Sequence, residues 1–118
     1  MEIKERIEIE NKNRKLEVEA IIDTGAEVSV IDEEILLKLG AKHLGNLEMI
    51  TAGEPVGLKS FYFLPFMKIR KCRVPIFVVI GGKKNLIGHD ILQRMNAKID
   101  EGAGTVEFPE CDKNYVEV

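Results

Sequence analysis

Residues 20–31 of this 118-residue chain read Ala20-Ile21-Ile22-Asp23-Thr24-Gly25-Ala26-Glu27-Val28-Ser29-Val30-Ile31. An apolar run leads into an aspartate and a turn of small residues, and a second β-branched run follows. Strand interiors seldom contain aspartate, so Asp23 between two such runs needs a reason. Gly25 permits a sharp turn and a close approach by another backbone segment. Taken alone, the stretch also fits an ordinary hairpin turn, because aspartate and glycine are common in turns.

A second segment later in the chain distinguishes these two interpretations. It reads Asn85-Leu86-Ile87-Gly88-His89-Asp90-Ile91-Leu92, and its motif begins at Leu86. The pair of motifs resembles the retropepsin-like aspartic proteases. That family carries an early motif of two apolar residues, Asp-Thr-Gly-Ala and a later Ser or Thr, and a late motif of apolar residues, Gly and then Asp or Asn. The resemblance covers roughly residues 2–108, and the two motifs together are more specific than either alone.

The resemblance implies a fold and an activity. The expected fold is mostly β, a single-lobe retropepsin-like acid protease domain with closed, barrel-like β-sheets and one or two short helices, active as a homodimer. The whole chain, 1–118, is expected to be one domain with a core over about 2–108 and a tail over 109–118. The expected activity is that of an aspartic endopeptidase acting on extended peptides or unfolded proteins.

One catalytic aspartate per chain implies that two chains form the active site. Aspartic proteolysis needs two carboxylates about 3 Å apart that share a proton, because two like charges so close cannot both ionise. The chain has one such motif, and Asp90 lies where the family has a structural Asp or Asn. By resemblance, the catalytic residues are Asp23, Thr24 and Gly25. Thr24 would hydrogen-bond across the dimer, and Gly25 would offer its carbonyl to the substrate.

A predicted hairpin corresponds to the lid, or flap, that the family places over its substrate. Strands over residues 47–52 and 58–63 flank a turn over residues 53–57, and its glycines would let the tip move. Pro55 in this turn departs from the glycine-rich tips of retroviral members, since proline has no N–H to donate. An exposed hairpin without a binding role fits the same pattern.

Candidate substrate-binding residues come from the turn, the hairpin and the second motif. They are Ala26, Glu27, Ile50, Thr51, Ala52, Gly53 and Ile87, with Ile22, Val30 and Phe63 as further candidates for pocket walls. The apolar members of this set also fit plain core positions. A substrate would bind in an extended conformation, with alternate side chains in pockets.

Composition and charge exclude several classes of partner. Hydrophobic residues make up 45%, charged residues 31%, and the net charge is -3, so nucleic acid is not an expected partner. No apolar run approaches the length of a membrane span, and the first residues lack the apolar core of a signal peptide, which predicts a cytoplasmic protein. Cys72 and Cys111 lack metal-ligand spacing and are predicted to be idle or buried thiols, and no metal or other cofactor is expected.

Local patterns predict the remaining elements. Alternation predicts a hairpin over residues 2–20, and Asp32 is expected to cap a helix from Glu33 to Leu39. A buried strand is expected over 72–80, and Asp90 is expected to cap a helix from about residue 91 to residue 95. The last hairpin is expected over residues 97–108.

A non-catalytic module on the same fold is the alternative function. Fold does not guarantee activity, and a dimeric sheet with a cleft could bind peptides or serve only for dimerisation. Pro55 at the predicted flap tip favours this alternative. The intact Asp23, Thr24 and Gly25 favour the enzyme, because a binding module does not need them.

Overall fold

The computed structural model describes residues 2–51, 53–76 and 78–111, without the side chains of residues 51 and 56. Two short helices are present, α1 (Glu33–Lys38) and α2 (His89–Arg94). The strands are β1 (Ile3–Asn11), β2 (Arg14–Ile22), β3 (Val30–Asp32), β4 (Lys42–Thr51), β5 (Glu54–Phe63), β6 (Phe66–Ile69), β7 (Cys72–Pro75), β8 (Val79–Gly82), β9 (Leu86–Ile87), β10 (Lys98–Asp100) and β11 (Thr105–Glu107).

Nine strands form one sheet in the order β4-β5-β8-β3-β9-β2-β1-β6-β7, and β10 and β11 form a separate hairpin. The predicted mostly-β fold with two short helices is confirmed. The expectation of closed, barrel-like sheets is not met, because β4 and β7 lie at opposite ends of the strand order and do not pair within the described chain. Neither helix in the described part of the chain is long and apolar enough to cross a membrane.

The first hairpin follows from the period-two pattern of its sequence. β1 and β2 pair antiparallel from Ile3↔Ile22 to Asn11↔Arg14. Ile3, Ile7 and Ile9 are buried, whereas the charged residues between them are more exposed. The predicted hairpin is therefore confirmed, and its second strand leads directly into Asp23.

Four central strands bring the two sequence motifs together. β2 runs parallel to β9, with Ile22 opposite Ile87, and β3 runs parallel to β8. β3 also pairs antiparallel with β9 through Val30 and Leu86. The chain leaves β2 at Asp23 and leaves β9 at Gly88. Because these two strands are parallel, both motifs turn away from the sheet at the same end of the strands.

The two helices begin in different ways. Asp32 caps α1 as predicted, since its carboxylate accepts a hydrogen bond of 2.9 Å from the Glu34 N–H. The prediction for the second helix was wrong in detail. α2 begins at His89 after Gly88, whose position has no side-chain cap. Asp90 lies inside the first turn, and its carboxylate is directed to Ser29 instead.

The predicted buried strand over 72–80 is in fact two strands. β7 is an edge strand beside β6, whereas β8 lies between β5 and β3 in the middle of the sheet. Pro65 lies between two further strands, since the chain leaves β5 before it and enters β6 after it.

A disulfide bond joins Cys72 to Cys111, with the two Cα atoms 5.3 Å apart. The prediction of idle thiols is therefore wrong. The pairing had no signature in the sequence, because the two residues are 39 positions apart and the fold alone brings them together. Nearby, the Arg70 guanidinium lies 5.0 Å from the centroid of the buried Phe108 ring. The chain from 108 to 111 is thus packed on the body of the domain.

Candidate active site

Asp23 begins a tight turn at the end of β2. Its N–H donates to the carbonyl of Ile87 at 2.9 Å, which continues the pairing with β9 beyond the strand. Its Oδ1 accepts a hydrogen bond of 2.9 Å from the Gly25 N–H, and its carbonyl accepts one from Ala26. A Cβ added at Gly25 would lie 3.3 Å from that carboxylate oxygen, closer than most side chains tolerate. The turn therefore fixes the direction of a half-buried carboxylate.

Ser29 and Asp90 connect the two motifs from below the turn. The fully buried Ser29 hydroxyl donates to Asp90 Oδ1 at 2.8 Å and accepts from the Gly88 N–H at 2.9 Å. The Ser29 N–H donates to Asp90 Oδ2 at 3.2 Å. These three bonds satisfy polar groups of both motifs, which explains why the first motif carries Ser29 and the second carries Asp90.

Gly88 allows the two motifs to approach closely. A Cβ at this position would lie 2.7 Å from the Ala26 carbonyl oxygen and 3.0 Å from the Val28 carbonyl carbon. The residue after Gly88 then hydrogen-bonds to the first motif, since the His89 N–H donates to the Ala26 carbonyl at 2.7 Å. Any side chain at Gly88 would push the turn after Asp23 away from α2.

Asp90 cannot serve as a second catalytic carboxylate of the same chain. Its Oδ1 accepts from both the Ser29 hydroxyl and the Ile91 N–H, and its Oδ2 accepts from the Ser29 N–H. A carboxylate with these donors is directed toward the Ser29 backbone and not toward Asp23. The structural position predicted for Asp90 agrees with this geometry.

Asn85 is a supporting residue that sequence reasoning missed. Its Oδ1 accepts from the Asp32 N–H at 2.9 Å, its Nδ2 donates to the Glu19 carbonyl, and its own carbonyl accepts from Ile21. The side chain thereby joins β2 and β3 next to the turn. The sequence signal for this role was weak: Asn85 comes directly before the second motif, and an ordinary loop asparagine can occupy the same position.

A groove of about 820 Å³ begins at the turn after Asp23. Its walls are the turn residues 25–28, Val30 on β3, Glu33 on α1, hairpin residues 49–50 and 58–60, and residues 80–84. The predicted site residues Gly25, Ala26, Glu27, Val30 and Ile50 line it. The structure thus places the turn and the β4–β5 hairpin on the two sides of one groove.

Other predicted binding residues lie elsewhere. Ile22 and Ile87 are buried core residues and do not line the groove, because their positions alternate toward the sheet interior. Phe63 is half-buried and also outside the lining, and Gly53 is exposed at the hairpin turn. The Thr51 side chain and residue Ala52 lie outside the described part of the chain.

The β4–β5 hairpin, which we call the flap, is longer than the sequence indicated. Its strands pair from Lys42↔Phe63 to Thr51↔Glu54, so the predicted five-residue turn is wrong. Pro55 lies within β5 opposite Ile50 and not at the tip. Only the base of the flap, residues 60–62, pairs with the sheet through β8 in the described chain. The remaining flap projects from the body, with Ile50 66% and Leu58 72% exposed.

Below the groove, the Tyr62 hydroxyl donates to Glu33 Oε2 at 2.8 Å. Burial, and secondly this bond to a carboxylate, raise the pKa of Tyr62 above its usual value. The same carboxylate lines the groove, so the bond fixes one of its two acidic side chains. Within the described residues, no group of three or more His, Cys, Asp or Glu side chains could hold a metal ion.

Comparison with known proteins agrees with the fold and the motifs. Residues 3–100 match the family described as retroviral aspartyl protease. A comparison with curated proteins gives no match. Among solved structures, EIAV protease complexed with the inhibitor HBY-793 is similar, with a TM-score of 0.59 and 18% identity, covering 85% of this chain and 93% of that chain. The retroviral protease-like domain of Ddi1 from Leishmania major has a TM-score of 0.63 and 19% identity, covering 92% of this chain and 88% of that chain. These structural likenesses concern the fold, whereas the family match spans most of the sequence: the chain belongs to the retroviral aspartyl protease family.

Proposed function

We propose that this protein is an aspartic endopeptidase that hydrolyses peptide bonds in extended polypeptides. The observation that carries the proposal is the geometry of the turn. A half-buried carboxylate is held by the Gly25 N–H, and an open groove with both apolar and charged walls begins at that same glycine. A reacting carboxylate beside a groove that can hold a peptide is what peptide hydrolysis by this family requires.

The second carboxylate is proposed to come from Asp23 of an identical subunit. Asp90, the aspartate of the second motif, is engaged with Ser29, so the two motifs offer Asp23 as the single candidate aspartate. A twofold axis through the turn would place the two Asp23 side chains side by side. Thr24 is exposed in the isolated chain, which leaves it accessible for the proposed hydrogen bond to the partner's turn.

The proposed chemistry needs only these two carboxylates and a water molecule. The ionised carboxylate removes a proton from water, and the resulting hydroxide adds to the scissile carbonyl carbon. The protonated carboxylate donates its proton to the carbonyl oxygen, which gives a neutral tetrahedral intermediate. The carboxyl group that took the water proton then gives it to the amide nitrogen, while the other, now ionised, carboxylate removes a proton from one hydroxyl of the intermediate. The C–N bond breaks, the two peptide products leave, and the pair again holds one proton. No cofactor takes part in these proposed steps.

The groove and flap support binding of an extended peptide. Ile50 and Leu58 of the flap face a groove whose opposite wall is formed by Ala26 and Val30. Extended substrates can bind by adding a strand, with alternate side chains in apolar pockets. Because only its base pairs with the rest of the sheet among the described residues, the flap can act as a lid over such a substrate.

The non-catalytic alternative loses one of its arguments in the structure. It relied on proline at the flap tip, and Pro55 is paired within β5 instead. It would still be favoured if peptides bound tightly but were never cleaved.

The test is cleavage of a diverse unstructured peptide pool at roughly pH 4 to 7, where an aspartate pair shares one proton. Wild type should cleave, and Asp23→Asn should not. Asp100→Asn is a matched control, since Asp100 lies in the distant β10–β11 hairpin, and it should cleave like wild type. Equal cleavage by Asp23→Asn, or none by wild type, would refute the proposal.

A further inference from the structure

Three lysines converge on one end of the groove from two separate segments. Lys59 is on β5 where the flap leaves the sheet, and Lys83 and Lys84 follow β8. The pairing Ser60↔Gly81 between these antiparallel strands places Lys59 next to Gly82, and so next to the two other lysines. All three line the groove. The sheet register therefore creates a local concentration of positive charge.

These lysines are not held in ion pairs in the described chain, whereas Lys4 and Lys15 elsewhere are paired with glutamates. All three lysines are also exposed, so their charges face the groove and solvent. An unpaired cationic group in a groove is available for an anionic ligand group.

The groove also contains two acidic residues, Glu27 and Glu33. Glu33 accepts a hydrogen bond from the Tyr62 hydroxyl, and a Cβ added at Gly81 would lie 3.1 Å from its Oε2, so its charge offsets part of the lysine charge. Glu27 belongs to the turn that follows Asp23. With three lysines against two glutamates the lining keeps a net positive charge, and the flap side chains Met49, Ile50 and Leu58 make much of its wall apolar.

We propose that the groove selects peptides in which an apolar segment is flanked by acidic residues, and that Lys59, Lys83 and Lys84 determine this preference. The inference rests on the proposed function, because it assigns a substrate class to the same groove. In a twofold-symmetric dimer the lysines occur at both ends of the combined site. Acidic residues are therefore preferred on both sides of the cleaved bond.

The test uses Asp23→Asn protein, so that binding is measured without cleavage. Fluorescence anisotropy compares three unstructured peptides with the same Leu-Phe-Val-Leu centre and flanks of paired Glu, Gln or Lys. We expect the Glu-flanked peptide to bind about tenfold more tightly than the Gln-flanked one at low salt, since exposed charge pairs contribute modestly and add over several contacts. The preference should shrink at roughly 0.5 M salt, where screening is strong.

Charge-reversed variants identify the residues responsible. Adding Lys83→Glu and Lys84→Glu should reverse the order, so that the Lys-flanked peptide binds best. Lys12→Glu with Lys71→Glu makes the same change in net charge at exposed turn positions outside the groove. This control should keep the preference for acidic flanks.

The outcomes separate the two proposals. Equal binding of all three peptides, or an unchanged preference after reversal of Lys83 and Lys84, overturns the inference. If wild type still cleaves the peptide pool in that case, the proposed function stands without it. If no peptide binds and none is cleaved, both fail. Position-resolved analysis of the cleaved pool gives a second measurement, in which enrichment of Asp and Glu near the cut supports the inference and its absence contradicts it.

Discussion

Replacement of Ser29 by alanine tests whether the two motifs are held together by hydrogen bonds. The Ser29 side chain is completely buried and makes two bonds, to Asp90 Oδ1 and from the Gly88 N–H. Ser29→Ala removes a single oxygen atom and leaves the Ser29 N–H bond to Asp90 in place. We therefore expect a change in stability that comes almost entirely from these two lost bonds.

The magnitude follows from the groups left behind. The Gly88 N–H becomes a buried donor without a partner, which costs about 1–3 kcal/mol. Asp90 loses one donor to its carboxylate, and hydrogen bonds to charged groups contribute about 1.5–3 kcal/mol. Because the carboxylate keeps two backbone donors, part of this second loss is offset. The expected decrease in the free energy of unfolding is about 3 kcal/mol.

Urea unfolding at a fixed protein concentration measures this change, since oligomer stability depends on concentration. With a slope of about 2 kcal/mol per molar urea, the midpoint should fall by about 1.5 M. Ser60→Ala is the control, because Ser60 makes one exposed bond to Asn46, and it should cost less than about 1 kcal/mol. A loss for Ser29→Ala no larger than for Ser60→Ala would refute the reasoning.

Three further predictions concern the packing, pH dependence and disulfide of the domain. Gly88→Ala should lower the free energy of unfolding by about 1–3 kcal/mol, because its methyl group meets backbone atoms that cannot rotate away; no loss in thermal unfolding would contradict this. Tyr62 has a raised pKa when folded, so its contribution is present below its unfolded pKa of about 10 and is lost as the pH rises through the folded value. Wild type should therefore lose stability relative to Tyr62→Phe above about pH 10, and parallel curves would disprove the shift. Reduction of the Cys72–Cys111 bond should cost up to about 4 kcal/mol for a loop of this length, and equal urea midpoints with and without reductant would show that the bond does not stabilise the fold.

Local patterns were sufficient to predict much of the fold. The β1–β2 hairpin follows from alternating isoleucines, and α1 follows from Asp32 before a helical stripe. The two motifs belong together because Ser29 of the first and Asp90 of the second satisfy polar groups across the two motifs. Local patterns and motifs of this kind can be read from the sequence without knowledge of the tertiary structure.

The errors arose where long-range pairing decides the outcome. The apolar composition of residues 72–80 indicates that they are buried, but periodicity does not show which strands they pair with. In the structure this stretch is divided between an edge strand, β7, and a central strand, β8. The position of Pro55 depended on flap register, which one extra residue in β5 shifts between Met49 and Ile50. The disulfide and the lysine cluster depend on residues far apart in sequence. No local pattern encodes them.

The central claim is that two chains share one catalytic pair, and subunit mixing tests it most directly. A fixed amount of wild type is unfolded and refolded with increasing amounts of Asp23→Asn, and cleavage of the peptide pool is measured. If each active site needs Asp23 from both subunits, random pairing predicts that one equivalent of the variant lowers activity to about half and three equivalents to about a quarter. Activity that stays constant at every ratio would show that each chain cleaves on its own, and would contradict the account.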